Sequence, residues 1–448
     1  MHYIKSKIDF SLLLSPAYPA FILLFGMTFL FLVADLTNLV WNSLFTISLY
    51  NILLIWIFLL TAKNKKGILH LSIIDTLMLV LLFLIALSTI WHGNYKDLMS
   101  GPPRYTLFML IAPYLCGKIM NMYDLKKVAC MVIWASFPMV LYLSIDQFLA
   151  LRQDEGEFIL GVSHGYLLVG NFLAITILSL CSFPIFENCT RRKRIVCRSI
   201  LFYTYLAVVS YFVATCGARG WRISVIFVLT IILVFLLRDR KKFLGHISRI
   251  IFVIAVILAA SVSKPDPRPF QRGAFGQEFN FSSLMESGPI FGESACNAIK
   301  EKSNSVKMRW LMYNEALAQF LTKPVTGYGA NLFGLHSCVG ANGFPHSTVL
   351  QGFAELGVLG GGIFLALVFL AIQAAVKILL LECSGTKGTV LHGWSFHPEG
   401  RYAPLFLLAF TVAQLIADQI YGNYFMASSF YLILGIASGL RCSYKHES

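Results

Sequence analysis

The sequence predicts an all-α polytopic membrane protein, with about twelve transmembrane helices and one large outer loop between the ninth and tenth. Three observations carry this reading. The 448 residues are 57% hydrophobic and only 13% charged, where a soluble chain carries about 25% charged residues. Apolar runs of about 17 to 25 residues recur from end to end, long enough to cross a bilayer as helices and too uniformly apolar for barrel strands. Lysines and arginines gather in short runs at alternate loops, as retention of positive charge on the cytoplasmic side requires.

Taken in order, the chain opens with Lys5 and Lys7 before an apolar run from Ala17. No small-residue cleavage site leads into a soluble domain, so this run reads as the first anchor. Spans are expected at roughly 17–34, 39–62, 68–91, 104–118, 128–150, 159–184, 200–217, 221–237, 249–263, 349–380, 402–419 and 423–440. Basic runs at Lys63, Lys65 and Lys66, at Lys126 and Lys127, at Arg191–Arg194 and at Arg238–Lys242 then share one face with both termini. That face is expected to be cytoplasmic. The net charge of +14 is thereby accounted for by topology, and nucleic-acid binding is not expected. The chain divides into helices 1–9 over 1–263, a polar loop over 264–348, and helices 10–12 with a tail over 349–448.

The polar segment of about 80 residues is too long for a simple connector. It opens with Lys264-Pro265-Asp266-Pro267-Arg268-Pro269, which cannot be helical. Met308, Leu311, Met312, Leu317 and Phe320 recur at helical spacing and predict an amphipathic helix near 306–321, stopped by Pro324. Gly327-Tyr328-Gly329 reads as a turn. The ten cysteines form no Cys-x-x-Cys pair and no zinc spacing. Cys296 and Cys338 fall in the outer segment, where an oxidising compartment would favour a disulfide between them.

His346, in Phe344-Pro345-His346-Ser347-Thr348, lies where this segment returns to the bilayer. Its side chain is the one whose ordinary pKa permits proton uptake near neutrality. It either packs against headgroups or acts as a base on a membrane-borne substrate. Arg219 and Arg222 sit in Thr215-Cys216-Gly217-Ala218-Arg219-Gly220-Trp221-Arg222, at the outer end of the seventh span. Arginines there either snorkel to headgroups or form a fixed anion site, whose planar fork suits a diphosphate. Arg309 opens the amphipathic helix, as a solvated face residue or as a partner of Arg219 and His346. Asp418 ends the eleventh span, where a buried carboxylate needs a partner: a local cap, a salt bridge, or a histidine or arginine that it orients. No Asp-x-Asp motif occurs, and Asp154-Glu155-Gly156-Glu157 reads as a solvated turn. No metal site is expected.

Together these residues resemble the O-antigen ligase and polymerase superfamily. His346-Ser347 followed by Gly357 and Gly360 is similar to its signature. Ala218-Arg219-Gly220-Trp221 resembles its Ser-Arg-Gly-Ala-Trp element, with alanine in place of the serine and tryptophan directly after the glycine. Arg309-Trp310 before Lys323-Pro324-Val325-Thr326-Gly327-Tyr328-Gly329 resembles its arginine helix and Pro-x-x-Gly-x-Gly turn. The resemblance implies an inner-membrane glycosyltransferase with a periplasmic site. Its donor would be a glycan on undecaprenyl diphosphate and its acceptor lipid A-core oligosaccharide; the alternatives are an O-antigen polymerase or O-linked oligosaccharyltransferase, which share the donor and differ in acceptor, or a lipid or glycan transporter. His346 would be the general base, Arg219 and Arg309 would neutralise the departing diphosphate, and Arg222 and Asp418 would bind substrate. Cofactor and metal would not be needed, because the diphosphate ester is already activated.

Overall fold

A computed structural model describes residues 15–23, 55–57, 59–60, 71–92, 110–152, 165–183, 192–215, 219–237, 240–263, 305–337, 344–384, 403–420 and 428–444. These residues form helices and connecting turns, with no strand among them. The protein is a helical membrane protein. Most of the expected spans at 17–34 and 39–62, the start of the polar segment, and both Cys296 and Cys338 lie outside the described residues.

The helices are α1 (Ile73–Trp91), α2 (Ala112–Ile119), α3 (Met122–Arg152), α4 (Gly165–Ser182), α5 (Arg192–Thr215), α6 (Arg219–Leu237), α7 (Arg240–Ser263), α8 (Ser305–Thr322), α9 (Thr348–Ser384), α10 (Ala403–Ile420) and α11 (Ser428–Tyr444). Four described stretches are long and apolar enough to cross a membrane: Ile73–Trp91, Tyr123–Ile145, Leu244–Val262 and Thr348–Leu380. Shorter apolar helices lie at Val169–Ser182, Ser199–Thr215, Gly220–Val234, Ala403–Gln419 and Ser428–Leu440. Leucines and phenylalanines such as Phe83, Leu141, Leu201 and Phe369 are exposed on this bundle, as a lipid-facing surface requires.

Side-chain contacts fix which helix ends lie together. At one end, His246 of α7 donates through Nδ1 to the Cys181 carbonyl at 2.7 Å, and Arg249 donates to the Phe183 carbonyl at 3.2 Å. Phe183 packs on Phe406, with ring centroids 5.6 Å apart. The end of α4 and the starts of α7 and α10 therefore meet there. At the other end, Arg222 near the start of α6 donates to Ser261 near the end of α7. The Ala330 amide donates to Ser88 Oγ near the end of α1 at 2.9 Å, and Ser347 bonds Gln419 near the end of α10. We call this second group the loop end and the first the basic end.

A buried polar knot ties α1, α2 and α11 together towards the starts of α1 and the ends of α2 and α11. Lys118 Nζ lies 2.7 Å from Asp75 Oδ1, and both side chains are almost wholly buried. Tyr114 donates to the same oxygen at 2.6 Å, while Ser438 and the Ser72 amide donate to Oδ2 at 2.9 and 2.6 Å. Such satisfaction is what a charge in an apolar interior demands. The helices approach closely because they present glycine. A Cβ on Gly435 would lie 2.0 Å from the Tyr114 carbonyl oxygen, and one on Gly439 2.6 Å from that of Lys118.

The helix expected over 349–380 is broken. At Gly357 (φ 69°, ψ −163°) α9 divides into a short first part and a long second part. Gly360 and Gly361 line the inside of this bend: a Cβ on Gly361 would lie 2.1 Å from the Phe353 ring, and one on Gly360 2.2 Å from Leu356 Cβ. Gly362 has no atom near its missing Cβ.

Candidate active site

The site is assembled around the bend in α9. Breaking the helix at Gly357 frees backbone groups that lipid would leave unsatisfied. The turn after α8 takes them up. Tyr328 and Gly329 amides donate to the Ala354 and Glu355 carbonyls at 2.9 and 3.0 Å, and the Val358 amide donates to the Pro324 carbonyl at 2.7 Å. Gly327 (φ 65°) and Gly329 (φ 110°) supply the left-handed backbone that the turn needs. A Cβ on Gly327 would meet the Glu355 carbonyl at 2.3 Å, and one on Gly357 would meet that of Val325 at 2.3 Å. The two glycine motifs, about thirty residues apart, are thus the two halves of one joint. Glu355 completes it. Its buried carboxylate accepts the Asn331 amide at 2.6 Å, the Phe333 amide at 3.3 Å and Gln351 Nε2 at 3.1 Å.

His346 stands at the head of α9, half buried, with its ring edge-on to Phe344 at 4.5 Å. Its backbone is left-handed, φ 55°, in a region few non-glycine residues adopt. That conformation persists only where the surroundings hold it. They do so through its neighbours. Ser347 Oγ accepts the Leu350 amide at 3.3 Å and so caps α9. The same hydroxyl donates to Gln419 Oε1 at 2.7 Å, and Gln419 Nε2 donates to Thr348 Oγ1 at 2.9 Å. One amide thus grips both residues that follow His346.

The Gln419 carbonyl also accepts the Tyr313 hydroxyl at 2.8 Å, which brings α8 against α10. Arg309 lies one helical turn before Tyr313 on the same face of α8 and is half buried. The Arg309 helix and the His346 turn are therefore joined through Tyr313, Gln419 and Ser347. Arg219 opens α6; its side chain lies outside the described residues. The start of α6 is at the loop end, because Arg222 donates to Ser261 of α7 at 3.3 Å. Arg222 thereby also holds α6 to α7. Asp418 is buried at the same end of α10, where Oδ1 accepts Gln414 Nε2 at 3.1 Å. Oδ2 has no hydrogen-bond partner among the described residues.

His346, the Arg309 helix, the start of α6 at Arg219 and Asp418 thus share one end of the bundle. Sequence reasoning missed Gln419, Tyr313 and Glu355. Glu355 lies between His346 and Gly357, where a carboxylate in an otherwise apolar helix was a signal. Gln419 carried a weaker one, as a polar residue beside Asp418 at a span end.

Residues 200–365 match the family model described as O-antigen ligase, a segment that contains Arg219, Arg222, Arg309, His346 and Gly357. No curated protein matches the chain.

Proposed function

We infer, for a chain that belongs to the O-antigen ligase and polymerase superfamily, that it joins a lipid-linked glycan to an acceptor sugar at the periplasmic face of the inner membrane. The donor in this reading is a glycan on undecaprenyl diphosphate, and the acceptor is a hydroxyl of lipid A-core oligosaccharide. His346 takes the hydroxyl proton as the acceptor oxygen attacks the anomeric carbon. The bond from that carbon to the diphosphate breaks, the configuration inverts, and the lipid diphosphate leaves. Arg219 and Arg309 stabilise the negative charge that grows on the leaving group, with Arg222 and Asp418 supporting the substrate site. The reaction draws on the energy of the existing diphosphate ester and calls for no cofactor or metal.

The observation that carries this reading is the joining of His346 to the Arg309 helix through Ser347, Gln419 and Tyr313. A base and a diphosphate-binding arginine need that kind of shared frame. The large loop between the ninth and tenth expected spans favours a ligase over a polymerase, whose outer residues typically divide between two sizeable loops. A transporter would want charges along a path through many spans, whereas the candidate charges gather at one end.

The test is transfer with the purified protein and both lipid substrates. His346→Ala is expected to bind donor normally and to lose about 10²- to 10⁴-fold in turnover, the usual worth of a general base. Arg219→Lys is expected to transfer poorly, because a point charge lacks the two-pronged donor geometry. Normal product formation by His346→Ala would remove it as the base. Extension of a lipid-linked glycan instead of lipid A-core would identify a polymerase.

A further inference from the structure

Beside the catalytic residues the loop end carries a second group of basic side chains, one lysine and two imidazoles. Lys323, in the turn after α8, places Nζ over the Tyr328 ring, 4.4 Å from its centroid. His336, in the short helix Phe333–His336, packs its ring on the same tyrosine at 4.6 Å. His92, directly after α1, lies against Gly329: a Cβ there would be 2.8 Å from His92 Cγ. Its Nδ1–H donates to the Ser88 carbonyl at 2.8 Å, which leaves Nε2 at the outer edge of the ring. Lys323 and His336 are exposed and His92 is half exposed. Among the described residues no carboxylate pairs with any of the three. The nearby acids are already engaged: Glu355 holds the Asn331 and Phe333 amides, and Glu315 accepts Ser337 Oγ at 2.7 Å.

Like charges held together are unfavourable without a counter-charge. The cost is visible at His336, whose imidazolium is disfavoured first by burial and then by Lys323 and His92. The surroundings are apolar and face outward. Trp91 (76% exposed), Val325 (68%) and Leu335 (60%) adjoin these basic side chains in sequence. An exposed tryptophan closing a span marks the level of lipid headgroups. A lysine and two imidazoles at that depth, ringed by apolar side chains, complement a phosphate carried on a lipid, with the acyl chains alongside.

We propose that Lys323, His336 and His92, gathered around Tyr328, form a subsite for a phosphate group of the acceptor lipid. The assignment rests on the ligase reading above, which supplies a lipid acceptor at this end. It goes beyond that reading by naming which part of the acceptor is held, and by which residues. The subsite is separate from the residues assigned to the donor diphosphate, yet rigidly tied to them. Tyr328 and Gly329 are bonded to the α9 bend, and α9 begins at the His346 turn. A phosphate seated here would set how far the acceptor sugar stands from His346.

The test uses the full-length protein in phosphatidylcholine nanodiscs. The probes are lipid A-core with its phosphates and the same lipid after their enzymatic removal. Binding is read by native mass spectrometry and transfer by apparent KM and kcat. Wild type is expected to prefer the phosphorylated lipid by about tenfold, as one interfacial ion pair with Lys323 and hydrogen bonds with the two imidazoles would give. Lys323→Ala/His336→Ala is expected to lose that preference through KM, with kcat at saturating acceptor unchanged. Lys323→Arg is expected to keep it. Equal binding of both lipids by wild type, or an undiminished preference in the double variant, would overturn the proposal. Displacement by phosphatidylglycerol at equal mole fraction would also overturn it, making the cluster a general headgroup contact. Binding that behaves as expected without any product would retain the subsite and refute the ligase reading instead.

Discussion

Replacing Gly357 by alanine tests the joint on which the site is built. The perturbation is one methyl group, but the backbone at φ 69° and ψ −163° lies in a region open essentially to glycine alone. Forcing a side chain into it costs about 1–3 kcal/mol. The new Cβ would also stand 2.3 Å from the Val325 carbonyl oxygen and 2.8 Å from that of Pro324. Those atoms are backbone and cannot swing aside. Overpacking of this kind costs a further 1–3 kcal/mol or so, bringing the expected loss to roughly 2–6 kcal/mol. If the turn retreats instead, it gives up the Val358 to Pro324 bond and the two bonds from Tyr328 and Gly329, each worth about 0.5–1.5 kcal/mol net. Either route gives a loss of similar size. The assay is thermal unfolding in detergent, with hydrogen exchange read at the Tyr328, Gly329 and Val358 amides. A drop of several degrees with faster exchange at those amides is expected. A variant that melts with wild type and protects those amides equally would show that the bend does not depend on glycine.

Gln419→Leu keeps the bulk of the side chain and removes its grip on Ser347 and Thr348; transfer should fall through kcat while donor binding stays near normal, and an unchanged kcat would detach Gln419 from the His346 turn. Removing one member of the Asp75–Lys118 pair, as in Lys118→Met, should destabilise by about 3–5 kcal/mol in a melting experiment, and Asp75→Asn in the same chain should recover part of it; no recovery would mean the two act separately. Stability should also depend on pH through His336. Its folded pKa is lowered by burial and by Lys323 and His92, so the unfolded chain takes up the proton first as pH falls. Stability is then fully present above the ordinary histidine pKa and declines below it. Melting profiles from pH 8 to pH 5 should flatten in His336→Gln, and identical profiles would exclude His336 as a contributor.

Different features of the chain were legible to different degrees. Long apolar runs have one physical meaning in lipid, so the helical membrane class followed directly from composition and period. The repeat of Met308, Leu311 and Met312 likewise marked α8, whose observed limits are Ser305–Thr322. Glycines were visible as letters but not as a joint. Nothing local shows that Gly327 and Gly357 face each other, because the contact is made by backbone atoms that every residue possesses. Gln419 was opaque for a related reason. An amide takes its role from its partners, and its bond to Ser347 spans 72 residues. For Asp418 the sequence left open a local partner, a salt bridge, or a histidine or arginine that it orients; among the described residues its hydrogen bond is local and comes from Gln414, one turn away on the same helix.

The buried knot at the start of α1 has a consequence for biosynthesis. Asp75 enters the bilayer with α1, before either of its long-range helices has left the ribosome. Lys118 arrives 43 residues later and Ser438 only after 363. The acid therefore lacks its amine until α2 has been made. The closely fitted pairing of α2 with α11 through Gly435 and Gly439 forms only after α11 has been made, long after α2. Termination at a stop codon upstream of α11 would leave the Tyr114 and Lys118 backbone of α2 uncovered and Asp75 short of the Ser438 donor.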